Sequence, residues 1–333
     1  MAQMPNLSLD RIPIDIVRLF INSLDPIAEI ATLQNLRLTC RLLNDLATSQ
    51  LFHALTFRAQ NEVQIRQQIA PKYLRHVRWL SVNCCSYIQC LVPGLALSHP
   101  ICLSRFMDLL TQMPQLERLW LRGSYNCDKG CIGVSDDEGF DPDHNALDIA
   151  AFLMNMSCLT PRRKRIETNL RFLYLDLDMM RRDENWYLAR FLPVFFIPSL
   201  RVLTAKGMGL AISSGGPPLP TEHIGESGLR KLKLINAGIE MPFLESLLML
   251  PTALEELSLR GRTIVLPDSE EDIYAVRKFQ RAAERQSASL KVLELNEGLH
   301  AADETVLGGV IDLSKFVALR RYEGYYEDVS KRF

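Results

Sequence analysis

The residues that could bind a metal lie mainly in one stretch of this sequence. Cys127 and Cys131 precede a set of acidic residues and one histidine, namely Asp136, Asp137, Glu138, Asp141, Asp143 and His144. Zinc sites use four ligands at regular short spacings, usually with a pair of cysteines two residues apart, and no second pair is present. The pattern therefore favours a solvated acidic loop over a metal site, and no metal or cofactor is expected.

Nucleophilic and phosphate-binding motifs are also missing from the sequence. None of the six histidines (53, 76, 99, 144, 223, 300) stands in a recognisable motif with a nearby Cys or Ser. The Gly215-Gly216-Pro217-Pro218 turn has no lysine after it and no helix start. The eight cysteines are irregularly spaced, which predicts free thiols in a reducing compartment. We expect a non-catalytic protein, with no catalytic residue.

Composition narrows the classes of partner. The 333 residues include 38 Lys plus Arg against 39 Asp plus Glu, so no net field attracts nucleic acid or a membrane surface. The first residues do not predict a signal peptide, and the sequence contains no apolar run of about eighteen residues. We therefore expect an intracellular protein, cytoplasmic or nuclear or both, with no nucleic acid or membrane partner. The basic cluster at 161–165 fits either a nuclear import signal or a solubilising loop.

Residues 6–52 predict three short amphipathic helices. Pro13 fits a first helical position, Asp25-Pro26 fits the start of a second helix, and a third helix follows Thr39. Apolar residues recur at spacings of three and four in each segment. Three helices of this length cannot bury two apolar faces by themselves, so a partner or the following domain must cover the excess.

The order Leu9, Ile12, Pro13, Ile16, then Leu36-Arg37-Leu38-Thr39-Cys40-Arg41, then Leu46-Ala47 and Leu51-Phe52 resembles an F-box of the form common in fungal proteins. The sequence departs from that family at Ile12, where Leu is usual, and at Leu43, where Trp is frequent. The resemblance implies binding to the Skp adaptor and through it to a cullin. The adaptor-binding residues would be Ile12, Pro13, Ile16, Val17, Ile21, Leu24, Leu36, Leu38, Cys40 and Leu43. The alternative is a plain helical cap on the next domain.

Residues 53–333 repeat one phrase: an apolar residue, two variable residues, Leu, one variable residue, Leu. Copies lie at 77–82, 116–121, 170–175, 200–205, 229–234, 254–259, 290–295 and, decayed, 319–324, with a partial copy at 52–57. Their separations of about 25 to 54 residues resemble irregular leucine-rich repeats. The predicted fold class is α/β: the helical module followed by a solenoid with a curved parallel sheet and helices outside. Insertion loops are expected near 122–145, 157–168 and 211–228.

Alternate strand residues point away from the core, toward the concave side of such a solenoid. The candidate target-binding residues there are Trp79, Arg118, Trp120, Arg122, Phe172, Tyr174, Lys206, Lys231, Lys233 and Arg260. The aromatic and arginine members match the composition of protein interfaces, although loops folded over the sheet would bury them instead. The resemblance implies the substrate-recognition subunit of a Skp-cullin-F-box ubiquitin ligase that binds an unidentified target protein. The alternative is a leucine-rich-repeat scaffold unconnected with ubiquitin.

Overall fold

The structure, a computed structural model, describes residues 12–26, 28–58, 69, 71–83, 109–124, 153–163, 165–178, 192–207, 209–210, 223–261, 264–265, 272–296, 310–324 and 327–328. Within these residues the chain is an α/β protein in which three N-terminal helices precede a nine-stranded parallel sheet. No helix of the described part has the length and the apolar character needed to cross a bilayer.

The N-terminal helices are α1 (Ile14–Ser23), α2 (Ile30–Arg37) and α3 (Arg41–Leu51). Helix α2 begins later than the sequence predicts, because a capped turn comes first. The Asp25 carboxylate accepts the Ala28 N–H at 2.8 Å, and the Glu29 carboxylate accepts the Asp25 N–H at 2.7 Å. This reciprocal pairing satisfies two backbone donors of the turn, so Asp25 caps that turn and the helix proper starts at Ile30.

These helices pack around a small core of their own. Its buried side chains are Val17, Ile21, Leu24, Leu33, Leu43 and Ala47. Spacings of four and three residues place the α1 members on one face of that helix. The buried Gln50 side chain joins the ends of α1 and α3, because its Nε2 donates to the Leu24 carbonyl at 2.7 Å. The bond satisfies a carbonyl at the end of α1 that has no partner within that helix.

The strands, in chain order, are β1 (Ala54–Arg58), β2 (Trp79–Asn83), β3 (Arg118–Ser124), β4 (Phe172–Asp178), β5 (Val202–Lys206), β6 (Gly209–Leu210), β7 (Lys231–Ile235), β8 (Gly238–Glu240), β9 (Glu256–Arg260), β10 (Ile264–Val265), β11 (Val292–Asn296), β12 (Val310–Ile311), β13 (Arg321–Gly324) and β14 (Glu327–Asp328). The main sheet has the order β1-β2-β3-β4-β5-β7-β9-β11-β13, and β10-β8-β6 and β12-β14 form small sheets. Each copy of the repeated phrase, including the partial and the decayed one, supplies one strand of the main sheet. The predicted nine-strand parallel array is confirmed.

Strand register explains why the phrase repeats leucine. The second residue of each strand lies beside the second residue of its neighbours, which stacks Leu80, Leu119, Leu173, Leu203, Leu232, Leu257 and Leu293 in one row. All of these side chains are buried in one continuous core. A leucine in one strand therefore packs on leucines of the adjacent strands, and each repeat depends on its neighbours.

The backbone joins the strands just before they begin. The His53 carbonyl accepts both the Arg78 N–H and the Trp79 N–H at 3.0 Å, and an equivalent pair of bonds recurs at each of the other steps across the main sheet. The first step comes two residues after the end of α3. The helical module is thus followed directly by β1, as the partial phrase at 52–57 predicts.

Helical segments return the chain between strands. Those described over their full length are α4 (Pro71–Leu74), a 3-10 turn at Leu192–Phe196, α5 (Met241–Met249), α6 (Asp272–Glu284) and a 3-10 turn at Leu313–Lys315. Helical residues are also described at 109–111 and 153–156.

The intervals between copies of the phrase predict helices at 61–70, 103–113, 146–156, 184–196, 243–250, 272–286 and 303–316. Those at 243–250 and 272–286 are confirmed as α5 and α6. The described parts of those at 103–113 and 146–156 contain helical residues, and the described parts of those at 184–196 and 303–316 hold 3-10 turns. Most of the stretch at 61–70 lies outside the described residues.

A residue in the left-handed backbone conformation follows each of three neighbouring strands of the main sheet. Gly207 follows β5 with φ 70°, Asn236 follows β7 with φ 49°, and Gly261 follows β9 with φ 69°. Only glycine, and to a lesser degree asparagine, adopts this conformation at low cost. Each turn directs the chain into the next short strand, β6, β8 or β10. The special position is thus two residues after the last leucine of the phrase, one earlier than the asparagine position usual in leucine-rich repeats.

Candidate functional site

Metal and thiol chemistry finds little support in the described part of the chain. No group of three or more His, Cys, Asp or Glu residues there could hold a metal ion. The acidic stretch around Cys127 and Cys131 lies outside the described residues. Cys40 and Cys158 are free thiols and both are exposed. Two surfaces, one on the helical module and one on the main sheet, hold the predicted binding residues that the structure describes.

The structure separates the predicted adaptor-binding residues into two groups. Ile12, Pro13, Ile16, Leu38 and Cys40 are exposed, and Leu36 is half-buried. The other four are buried in the core of the module, where they pack between the helices: Val17, Ile21, Leu24 and Leu43. Side chains that hold the three helices together are not available to a partner. These four are corrected to core residues.

Other apolar side chains of the module are exposed and were missed from the sequence. We define the helical apolar face as the exposed large apolar residues of the module: Ile12, Ile14, Ile16, Leu19, Phe20, Ile30, Leu38 and Leu42. Only four comparable exposed residues occur elsewhere in the described part of the chain: Met154, Phe172, Ile224 and Val317. This concentration of exposed apolar side chains makes the module a candidate interaction surface.

The second surface is the open face, the side of the main sheet opposite its core. Six of the predicted target-binding residues meet there on β2, β3 and β4, and we call them the aromatic platform: Trp79, Arg118, Trp120, Arg122, Phe172 and Tyr174. Register places Trp79 beside Arg118 and Arg118 beside Phe172. It also places Trp120 beside Tyr174.

Ring and cation contacts organise this platform. Trp120 and Tyr174 meet edge to face, with ring centroids 4.6 Å apart at 68°. The Arg122 guanidinium carbon lies 3.9 Å from the Trp120 ring centroid, and that of Arg118 lies 4.9 Å from the centroid of Phe172. Stacking of this kind holds a guanidinium in a fixed plane while its edge stays open to hydrogen-bond acceptors.

Two polar groups lie at the centre of the platform. The Trp120 Nε1 is buried and has no acceptor among the described residues. Burial, reinforced by the nearby Asp176 carboxylate, raises the pKa of Tyr174 above its ordinary value. The Tyr174 phenol is therefore protonated at neutral pH and can donate a hydrogen bond.

The four predicted target-binding cations nearer the C-terminus are paired within the sheet. Lys206 Nζ lies 3.4 Å from an Asp176 carboxylate oxygen. The others belong to what we call the ionic network: Lys231, Lys233, Glu256, Ser258, Arg260, Glu294 and Arg321. Its ion pairs join Glu256 to Lys231 at 2.7 Å and Lys233 at 2.5 Å, and Glu294 to Arg260 at 2.8 Å and Arg321 at 3.1 Å.

Both carboxylates of the ionic network are ionised at neutral pH. Burial disfavours the charge on Glu294, whose side chain is only 3% exposed, but hydrogen bonds from Arg260 and Ser258 outweigh it and lower the pKa. The same balance applies to Glu256. Burial disfavours its charge, but hydrogen bonds from Lys231 and Lys233 hold its pKa below the usual value. Lys231, Lys233 and Arg260 thus neutralise buried carboxylates.

The junction between the two surfaces is packed. The Phe52 ring stacks on Tyr73 with centroids 4.6 Å apart and an interplanar angle of 4°. Burial, assisted by the Arg78 charge, lowers the pKa of His53. The imidazole is therefore neutral at physiological pH.

No protein-family model matches this chain, and no curated protein matches it significantly. Its function is inferred from the two surfaces and their geometry.

Proposed function

We propose that this protein is a substrate-recognition subunit of a Skp-cullin-F-box ubiquitin ligase. In this proposal the helical module is an F-box that binds the Skp adaptor, and the strands belong to leucine-rich repeats whose open face binds a target protein. In this role the chain itself would catalyse no step. It would hold a target on the main sheet while the ligase assembles on the helical module.

The observation that carries the proposal is the helical apolar face. A helical cap would bury its apolar residues against the first strands of the sheet. Here the module has a separate small core, while Ile16 remains 55% exposed and Leu38 85% exposed. Leaving such side chains in water is unfavourable by an amount proportional to their apolar area, so a protein partner that covers them gains that free energy. This favours an adaptor-binding module over a cap.

The junction supports the second half of the proposal. Two residues separate the end of α3 from the start of β1, and the stacked Phe52 and Tyr73 rings pack beside that connection. A short, hydrogen-bonded connection restricts the positions that the bound target can take relative to the adaptor. Restricting the reacting groups to a narrow range of geometries is what a group-transfer complex requires of its scaffold.

The experiment is a binding measurement with the purified full-length chain and the purified Skp adaptor, by size-exclusion chromatography with light scattering. The wild-type chain is expected to form a one-to-one complex. The variant Leu38→Asp, combined with Phe20→Asp, is expected to lose it, because both charges would be buried in the interface without partners.

Val317→Asp is the matched control. Val317 is 83% exposed, close to Leu38 at 85%, but it lies at the far end of the main sheet. This variant is expected to keep the complex, and circular dichroism checks that all variants are folded. Failure of the wild-type chain to bind the adaptor would overturn the proposal and favour the alternative, a leucine-rich-repeat scaffold unconnected with ubiquitin.

A further inference from the structure

We propose that the aromatic platform binds an extended segment of the target in which two carboxylate side chains flank an apolar residue. This rests on the proposed function and deepens it, because it states the chemistry of the target. The inference comes from a difference in charge pairing between the two halves of the open face, from the positions of two arginines along β3, and from the rings between them.

The two halves of the open face differ in how their cations are used. From β5 onward, Lys206, Lys231, Lys233, Arg260 and Arg321 each lie within ion-pair distance of a carboxylate of the same sheet. On β3, Arg118 and Arg122 have no carboxylate at that distance among the described residues, and their recorded contacts are with aromatic rings. Within the described part of the open face, the cations that no carboxylate offsets at ion-pair distance are therefore those of the platform.

The positions of the two arginines specify a spacing. Arg118 and Arg122 are the first and fifth residues of the part of β3 that pairs with β2, and Trp120 is the third. At roughly 3.3 Å per residue their Cα atoms are about 13 Å apart, and all three side chains are on one face. An extended peptide along β3 presents its residues i, i+2 and i+4 with the same spacing, also on one face. Acidic residues at i and i+4 then meet the arginines.

Each guanidinium is arranged for its own anion. The Arg118 guanidinium packs on the Phe172 ring of β4, and the Arg122 guanidinium packs on the Trp120 ring of β3. The two cations are therefore held at separate positions. A guanidinium can bind one carboxylate through two parallel N–H donors. Two separate positions of this kind favour a pair of carboxylates over a single phosphate, which is bound best where several cations converge on one point.

The middle of the platform suits an apolar residue. The Trp120 and Tyr174 rings meet there, and Phe172, which is 37% exposed, lies one row away beside Arg118. Rigid aromatic side chains bordered by arginine are typical of the central contacts of protein interfaces. The protonated Tyr174 hydroxyl offers a hydrogen-bond donor for a backbone carbonyl of the ligand.

The test uses three fluorescein-labelled synthetic peptides and the full-length chain, with binding followed by fluorescence anisotropy. The first peptide is Ser-Glu-Ser-Leu-Ser-Glu-Ser, the second has Gln in place of both Glu, and the third has Gln at both positions and one central phosphoserine. The first peptide is expected to bind at least about tenfold more tightly than the second, since each charged hydrogen bond contributes that much. Tighter binding of the phosphoserine peptide than of the first would overturn the proposal.

Variants of the chain locate the binding. Arg118→Gln and Arg122→Gln are each expected to weaken binding of the first peptide by about tenfold. Arg320→Gln is the control, because it removes the same charge from an exposed arginine that has no recorded ion pair among the described residues. An equal loss with Arg320→Gln, or no preference for the Glu peptide over the Gln peptide, would contradict the proposal. Adaptor binding by the same variants is measured separately, so a failure here is distinguishable from a failure of the proposed function.

Discussion

Single residues decide which part of the open face is available to a ligand. Sequence alone predicts that Lys231, Lys233 and Arg260 point away from the core. It cannot predict that they are paired, because Glu256 and Glu294 come from neighbouring strands and only the register brings them together. Among the described residues of the open face, Arg118 and Arg122 are thus the cations with no carboxylate within ion-pair distance.

The ionic network makes Glu294 a stability determinant. Glu294→Gln removes a carboxylate that accepts from Arg260 and Ser258 and pairs with Arg321. These arginines are about half exposed and can be rehydrated, so the loss is that of charged hydrogen bonds, about 2 kcal/mol in the free energy of unfolding. Urea denaturation of the purified chain measures it.

Glu323→Gln provides the comparison for that measurement. Glu323 also accepts from Arg321, at 2.8 Å, but it is exposed. Exposed ion pairs contribute at most about 1 kcal/mol, so this variant is expected to be near neutral. Equal effects of the two variants would show that burial of Glu294 contributes nothing.

Acid is expected to destabilise the fold. Glu256 and Glu294 have pKa values lowered in the folded state, so their stabilisation is present above the unfolded pKa and is lost as pH falls through the folded pKa. His53 has a lowered pKa, so the unfolded state binds more protons just below about pH 6.5 and stability falls there too. Thermal melting between about pH 7 and pH 3 should show a falling Tm, with the His53 contribution lost first and the two carboxylate contributions lost below about pH 4.5. A Tm that rises on acidification would contradict these pKa directions.

At the level of helices and strands, helix α1 shows what apolar periodicity can and cannot predict. Apolar spacing predicts that α1 is amphipathic, yet the helix carries apolar residues on more than one side. The spacing therefore cannot tell Val17 and Ile21, which pack inward, from Ile16 and Phe20, which are exposed. The inward side is fixed by packing with α2 and α3. For this reason the exposed apolar residues of the module could be predicted only in part.

The turn after β9 tests the role of the left-handed position. Gly261→Ala is expected to lower the free energy of unfolding by about 1 to 3 kcal/mol, because φ is +69° and the added Cβ would collide with the Asn236 side chain. Gly225→Ala is the matched control, since its φ is +74° but no atom lies near the added Cβ. It should cost about 1 kcal/mol from backbone strain alone. A smaller loss for Gly261→Ala than for Gly225→Ala would show that the turn is not tightly packed.

At the scale of the whole molecule the order of the strands was predictable. One leucine phrase recurs, consecutive copies pack on each other, and a parallel array in sequence order follows. The short second sheet β6-β8-β10 was not predictable, because two-residue strands leave too little pattern and depend on the turns at Gly207, Asn236 and Gly261. The platform was predictable as a set of residues, whereas its two stacked arginines required the register.

In the proposed function the helical apolar face binds the Skp adaptor while the main sheet remains available to a target. Amide hydrogen exchange of the full-length chain, alone and with the purified adaptor, tests this. We expect slower exchange in α1 and around Leu38 on adding the adaptor, with no change across β3 and β4. Protection confined to the strands, or no protection in the module, would contradict it.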